Sequence, residues 1–131
     1  MRAEHILVGF DGSPTAATAL EWALSEAERR DVAVRVVWAW TSGPPWDERD
    51  RVAEGLAAAV AGHPTVDVQY DDRTGAPGPA LVRAAEEADL LVVGSHGTGG
   101  VLSALVGSTT AYCVRHARCP VVVMPVHAER S

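Results

Sequence analysis

The chain has 131 residues, 47% of them hydrophobic and 21% charged, with a formal net charge of −6. That length predicts one domain with a core of its own, and the composition excludes a disordered chain. All eleven basic residues are arginine, and an acidic chain without a basic cluster is ill suited to duplex DNA or an anionic membrane surface.

The opening Met-Arg-Ala-Glu-His has no signal-peptide pattern, and no apolar run approaches the ~20 residues needed to span a bilayer. These features predict a cytoplasmic protein, no membrane and no nucleic-acid partner. Cys113 and Cys119 form no C-x-x-C pair and read as free thiols.

Strand and helix signals alternate along the chain. His5–Phe10 is a short apolar run ending at Asp11-Gly12. Ser13-Pro14 then opens a helix, with Ser as N-cap and Pro in the first turn. Ala17, Leu20, Leu24 and Ala27 share one face of that helix, which ends at Asp31. Val32–Trp40 reads as a second strand by its β-branched and aromatic content. Thr41–Pro45 is a loop, Trp46 lies at its edge, and a helix with Val52, Leu56 and Val60 inward follows.

Val66–Tyr70 reads as a third strand and Asp71–Gly75 as a loop, which makes Asp71 and Asp72 solvated loop charges. Pro77–Ala88 is a helix and Leu90–Val93 a fourth strand. Gly94–Gly100 is a glycine-rich loop, a further helix runs to about His116, and Pro120–Met124 is a final apolar strand. Alternation of this kind, with strands apolar on both faces, predicts a parallel sheet covered by helices on both sides.

The glycine-rich stretch carries the chemistry. Gly94 ends a strand, Gly97 follows, and nine intervening residues later Gly107 precedes Ser108 and Thr109 at the start of a helix. Glycines let a backbone approach a ligand closely. Successive N–H groups make an anion-binding nest, and a helix N-terminus adds unpaired donors. Hydrogen bonds to a charged group contribute about 1.5–3 kcal/mol each. A few of them, with base and ribose contacts, reach the ~8 kcal/mol of micromolar binding. The spacing is not a Walker A loop, and with Leu102 where the third glycine belongs it is not the G-x-G-x-x-G fingerprint. His96, within the loop, reads as a solvated histidine.

Taken together, ILVGFDGSP, GAPGPALVRAAEEADLLVVGSHG, the G-x2-G-x9-G-[ST] spacing and the ending CPVVVMP resemble the universal stress protein family over almost the whole chain. The resemblance implies an open five-stranded parallel sheet of order 3-2-1-4-5 with helices on both faces. It also implies ATP held with Mg2+. Gly9 and Asp11 would lie beside the nucleotide, with Asp11 near the ribose, phosphates or metal. Ala39 would contact adenine, and Val93 and Gly94 the ribose. Gly97, Gly107, Ser108 and Thr109 would hold the phosphates. The chain departs from the commoner pattern at Trp38 and Trp40, two large rings that would stack on the base or crowd it.

In an open α/β sheet, ligands sit where the strand order reverses, here between the first and fourth strands that Asp11 and Gly94 leave. The function this implies is an ATP-binding regulatory module of a stress response. The alternatives are a slow ATPase or phosphotransferase at the same site and a nucleotide-free dimerising scaffold. The apolar final strand, Val121–Met124, at the sheet edge predicts a homodimer joined through it.

Overall fold

A computed structural model describes residues 4–40, 46–95 and 107–125. Five strands, β1 (His5–Gly9), β2 (Ala33–Trp40), β3 (Val68–Thr74), β4 (Leu90–Gly94) and β5 (Val121–Met124), form one parallel sheet in the order β3-β2-β1-β4-β5. The helices are α1 (Pro14–Arg30), α2 (Trp46–Ala61), α3 (Pro77–Ala84) and α4 (Ser108–His116). The expected fold and strand order are those found.

Local chemistry sets the boundaries of α1. Ser13 is its N-cap, accepting at Oγ from the Ala16 N–H at 3.3 Å. Asp31 ends it in the left-handed conformation at φ 59°, which a short polar side chain tolerates better than a branched one. Val32 N–H then returns to the Ala27 carbonyl at 3.1 Å.

The sheet carries a core on each face. On one, α1 buries Ala19, Leu20, Ala23 and Leu24 against Ile6, Val8, Val34, Val36 and Val92, with Phe10, Trp38 and Val52 in the same cluster. On the other, Leu81, Ala84 and Cys113 pack on Leu7, Val37, Leu91 and Val93. The alternation of side chains along each strand sorts these residues. Both cysteines are free thiols, and burial, the larger cause, pushes the Cys113 thiol up to about 11. Among the described residues no helix is long and apolar enough to cross a membrane.

Two sequence expectations need correction. The third strand is Val68–Thr74, not Val66–Tyr70, and the expected loop from Asp71 is mostly strand. Asp71 and Asp72 are accordingly paired strand residues, not solvated loop charges. Asp71 accepts from Arg35 and Arg73, and Asp72 accepts from the Trp40 indole N–H at 2.7 Å. These side-chain partners, Arg35 and Trp40 across the ladder and Arg73 on the same strand, offset the poor strand propensity of aspartate. The helix from Pro77 is α-helical only to Ala84 and closes with a 3-10 turn over Ala85–Glu87.

One ion bridge ties α1 to the chain after α2. His63 Nε2 lies 2.8 Å from Glu21 Oε1, and Nδ1 lies 3.1 Å from Glu28 Oε2. The hydrogen bond with Glu21 dominates over burial, which acts the other way, and Glu28 adds to it. The imidazole pKa is therefore raised above its ordinary value. Its stabilisation is fully present below the unfolded value of about 6.5 and is lost as pH rises through the raised folded value. His63→Gln is expected to lower the urea midpoint more at pH 6 than at pH 9. An equal loss at both would show that the bridge carries no charge-dependent stability.

Candidate functional site

The carboxyl ends of β1, β2 and β4 open into a cleft at the point where the strand order reverses, the usual ligand position in such sheets. β1 leaves through Gly9, Phe10 and Asp11. Asp11 Oδ1 accepts from the Ser13 N–H at 2.9 Å, so its carboxylate is fixed beside the start of α1. Gly12 makes that turn at φ +82°, a conformation that favours glycine.

β4 leaves through Gly94 and Ser95, which are tied to the start of α4. Gly107 N–H donates to the Ser95 carbonyl at 2.8 Å, and Thr110 Oγ1 donates to the Gly94 carbonyl at 2.5 Å. Gly107 is the N-cap of α4 and supplies no side-chain acceptor. The first-turn N–H groups there have no intrahelical partners and carry the positive end of the helix dipole.

Gly94 allows a close approach. A Cβ there would collide with Thr15 Oγ1 and lie 2.7 Å from the Thr15 carbonyl carbon and 2.9 Å from the Ala16 nitrogen. The glycine therefore lets the first turn of α1 sit directly against the end of β4.

β2 supplies the third wall. Its last rung with β1 is Gly9↔Val37, so Ala39 stands two residues beyond the end of that ladder. Val34 N–H and the Trp40 carbonyl bond towards the β3 side, whereas the Val37 carbonyl bonds towards β1. By this alternation the N–H and C=O of Ala39 point to the β1 side, where the ladder has stopped. Ala39 thus offers a donor and an acceptor on the cleft side of an apolar slot made by Gly9, Val37, Pro77 and Leu81.

Of the residues singled out from sequence, Gly9, Asp11, Ala39, Val93, Gly94 and Thr109 line this cleft. Gly107 and Ser108 stand at the adjoining start of α4. Gly97 and His96 lie outside the described residues, as do Thr41–Pro45. The rings of Trp38 and Trp40 belong to the α1 face, opposite Val37 and Leu81. Trp38 is 6% exposed and walls the cleft from that side. Arg49 lies 5.7 Å from the centre of the Trp40 ring. Trp46 opens α2.

Sequence reasoning missed Val37, Pro77, Leu81 and Thr110. Val37 was legible as the residue two before Ala39 on the same strand face. Leu81 follows Pro77 by one helical turn. Ser95 adds a buried hydroxyl with no hydrogen-bond partner among the described residues at the junction of β4 and α4. Among the described residues no group of three or more His, Cys, Asp or Glu side chains could hold a metal ion. A cation at Asp11 would need its other ligands from a bound molecule or water.

The profile of the universal stress protein family matches residues 2–125. The universal stress protein Rv2624c of Mycobacterium tuberculosis is 37% identical over 128 residues, covering 91% of this chain and 47% of that protein. A universal stress protein of Mycolicibacterium smegmatis is 34% identical over 131 residues, covering 91% of this chain and 45% of that protein. The chain thus spans less than half the length of these curated relatives.

Among solved structures, a universal stress protein in complex with cAMP superposes with a TM-score of 0.76 at 28% identity, covering 97% of this chain and all of that one. The universal stress protein UspA from Lactobacillus plantarum gives 0.74 at 26% identity, covering 95% of this chain and 99% of that one. On its sheet order, its matched length and these relatives, the chain belongs to the universal stress protein family.

Proposed function

We propose that this chain binds an adenine nucleotide, ATP with Mg2+, in the cleft between β1, β2 and β4, and acts as a regulatory module whose signal is occupancy. The observation that carries this reading is the apolar slot ending in the backbone edge of Ala39, unpaired among the described residues. A donor and an acceptor side by side match the edge of adenine, while Val37, Pro77 and Leu81 give the ring an apolar bed. Asp11 faces the ribose or the metal. Gly107, Ser108 and Thr109, with Gly97 in the preceding loop, take the phosphates at the start of α4. The cAMP complex of the related structure supports an adenine ligand in this fold.

Binding is favoured over rapid hydrolysis by the state of Asp11. It is the only carboxylate among the described cleft residues, and Oδ1 already accepts from Ser13. A fast phosphotransferase needs a positioned base or water-orienting group and strong charge stabilisation. Denaturing freshly purified protein and separating the released nucleotides tests the binding reading. Adenine nucleotide near one per chain is expected. Its absence, together with no uptake of added ATP, would favour the nucleotide-free scaffold.

The protein also acts as a homodimer through β5 in this reading. β5 is an edge strand, Val121–Met124 is only partly buried, and Val114 on neighbouring α4 is 57% exposed. An apolar edge with unpaired backbone groups favours pairing with another chain, and a twofold axis lets the same edge serve both copies. Val122→Lys is expected to convert dimers to monomers in sedimentation velocity. A wild-type chain that sediments as a monomer at micromolar concentration would contradict the dimer.

A further inference from the structure

Beside the base slot, on the same face of the sheet, stands a charged cluster that the nucleotide reading leaves unused. Arg35 on β2 and Arg73 on β3 donate to the same oxygen, Oδ2 of Asp71, at 3.0 and 2.9 Å. Two guanidinium groups on one carboxylate make a local charge of +1 in a chain of net charge −6. Burial alone would raise the Asp71 carboxyl, but the hydrogen bonds from Arg73 and Arg35 outweigh it and hold it below its ordinary value. The cluster therefore stays ionised near neutrality.

Its position follows from strand register. β2 and β3 pair Val37 with Asp71 and Ala39 with Arg73. Paired residues of adjacent strands project to the same face, about 4.8 Å apart. Arg73 thus stands next to Ala39, on the face where Val37 and Leu81 pack together. α3 packs chiefly on β2. The Arg73 side chain is 26% exposed. Among the described residues no cationic side chain lines the cleft itself.

We propose that Arg73 reads the base of the bound nucleotide: from the rim beside Ala39 its guanidinium plane stacks on the outer face of the adenine ring, with Asp71 as the arm that holds it there. The proposal rests on the adenine-nucleotide reading of the cleft. Arginine is planar and weakly hydrated, and it stacks on aromatic faces. Asp71 engages Nε, which leaves the terminal nitrogens of the fork to slide over the ring. Pro77 and Leu81 give the apolar side of the slot. The phosphates belong at α4 beside β4, three strand spacings or about 14 Å from β3, too far for the same side chain. A base contact rather than a phosphate contact follows.

The test compares wild type with Arg73→Ala and Arg73→Lys by calorimetric titration with adenosine and with ATP, after circular dichroism has confirmed folding. Arg73→Ala is expected to weaken both ligands by about the same factor, roughly tenfold for a cation–π stack partly removed from water. Arg73→Lys keeps the charge but not the plane and is expected to recover little of the loss. Unchanged affinities in Arg73→Ala, a loss confined to ATP, or full rescue by lysine would each overturn the proposal. If wild type binds neither ligand, the nucleotide reading itself fails and this inference fails with it. If wild type binds and Arg73→Ala binds equally, only the role of Arg73 falls.

Discussion

Gly9→Val is expected to abolish nucleotide binding while leaving the chain folded. Gly9 sits at the last rung of β1, where its missing side chain forms the floor of the slot. A Cβ there would lie 2.7 Å from Leu81 Cδ1 and 3.5 Å from Val93 Cγ1. Leu81 can yield because the contact is with the far end of its side chain, but the valine methyls then occupy the volume proposed for the base. An affinity loss of at least a hundredfold, about 2.7 kcal/mol, is expected in calorimetric titration with ATP. Overpacking of this kind costs about 1–3 kcal/mol of stability, so the melting temperature falls modestly. Wild-type affinity in a folded Gly9→Val chain would remove the slot from the site.

Gly94→Ala is expected to act the other way, on stability first. The atoms a Cβ would meet there include the backbone of α1 at Thr15 and Ala16, which cannot rotate aside. The first turn of α1 must move off β4, carrying the Ser13 cap with it. Forced repacking of that kind costs at least the ~1–3 kcal/mol typical of an overpacked core. The expected observation is a lower urea midpoint with an unchanged m-value, and weaker nucleotide binding because Asp11 is held by Ser13. A midpoint within experimental error of wild type would show that α1 does not rest on this glycine.

The two glycines look alike in sequence, each standing at the end of a short apolar strand. Only the packing tells them apart, since one faces a flexible leucine tip and the other a helix backbone. Much else was legible locally. The caps of α1, the apolar strands and the alternation of elements follow from nearest-neighbour chemistry, and the strand order came with the family resemblance. The end of β3 was not legible. Asp71, Asp72 and Arg73 read as a polar loop, and their strand conformation depends on Arg35, Trp40 and Arg49, which are distant in sequence.

The slot proposed for the base was half legible for the same reason. Gly9, Asp11 and Ala39 mark strand ends, but Pro77 and Leu81 join them only through the docking of α3 on β2. Trp38 and Trp40 raised the question of stacking on the base; strand alternation puts both rings on the α1 face, where Trp38 walls the cleft from that side. Two residues of even number share the α1 face, while Ala39 between them shares the opposite face with Val37.

Amide chemical-shift mapping tests the central claim most directly. Nucleotide-stripped, isotope-labelled protein is titrated with Mg-ATP and followed by backbone amide resonances. Saturable shifts should appear at Gly9, Asp11, Ala39, Gly94 and Ser108–Thr110, with little change at the opposite end of the sheet around Asp31 and Asp67. No saturable shifts, or shifts confined to residues away from the carboxyl ends of β1, β2 and β4, would contradict the assignment of this cleft as the nucleotide site.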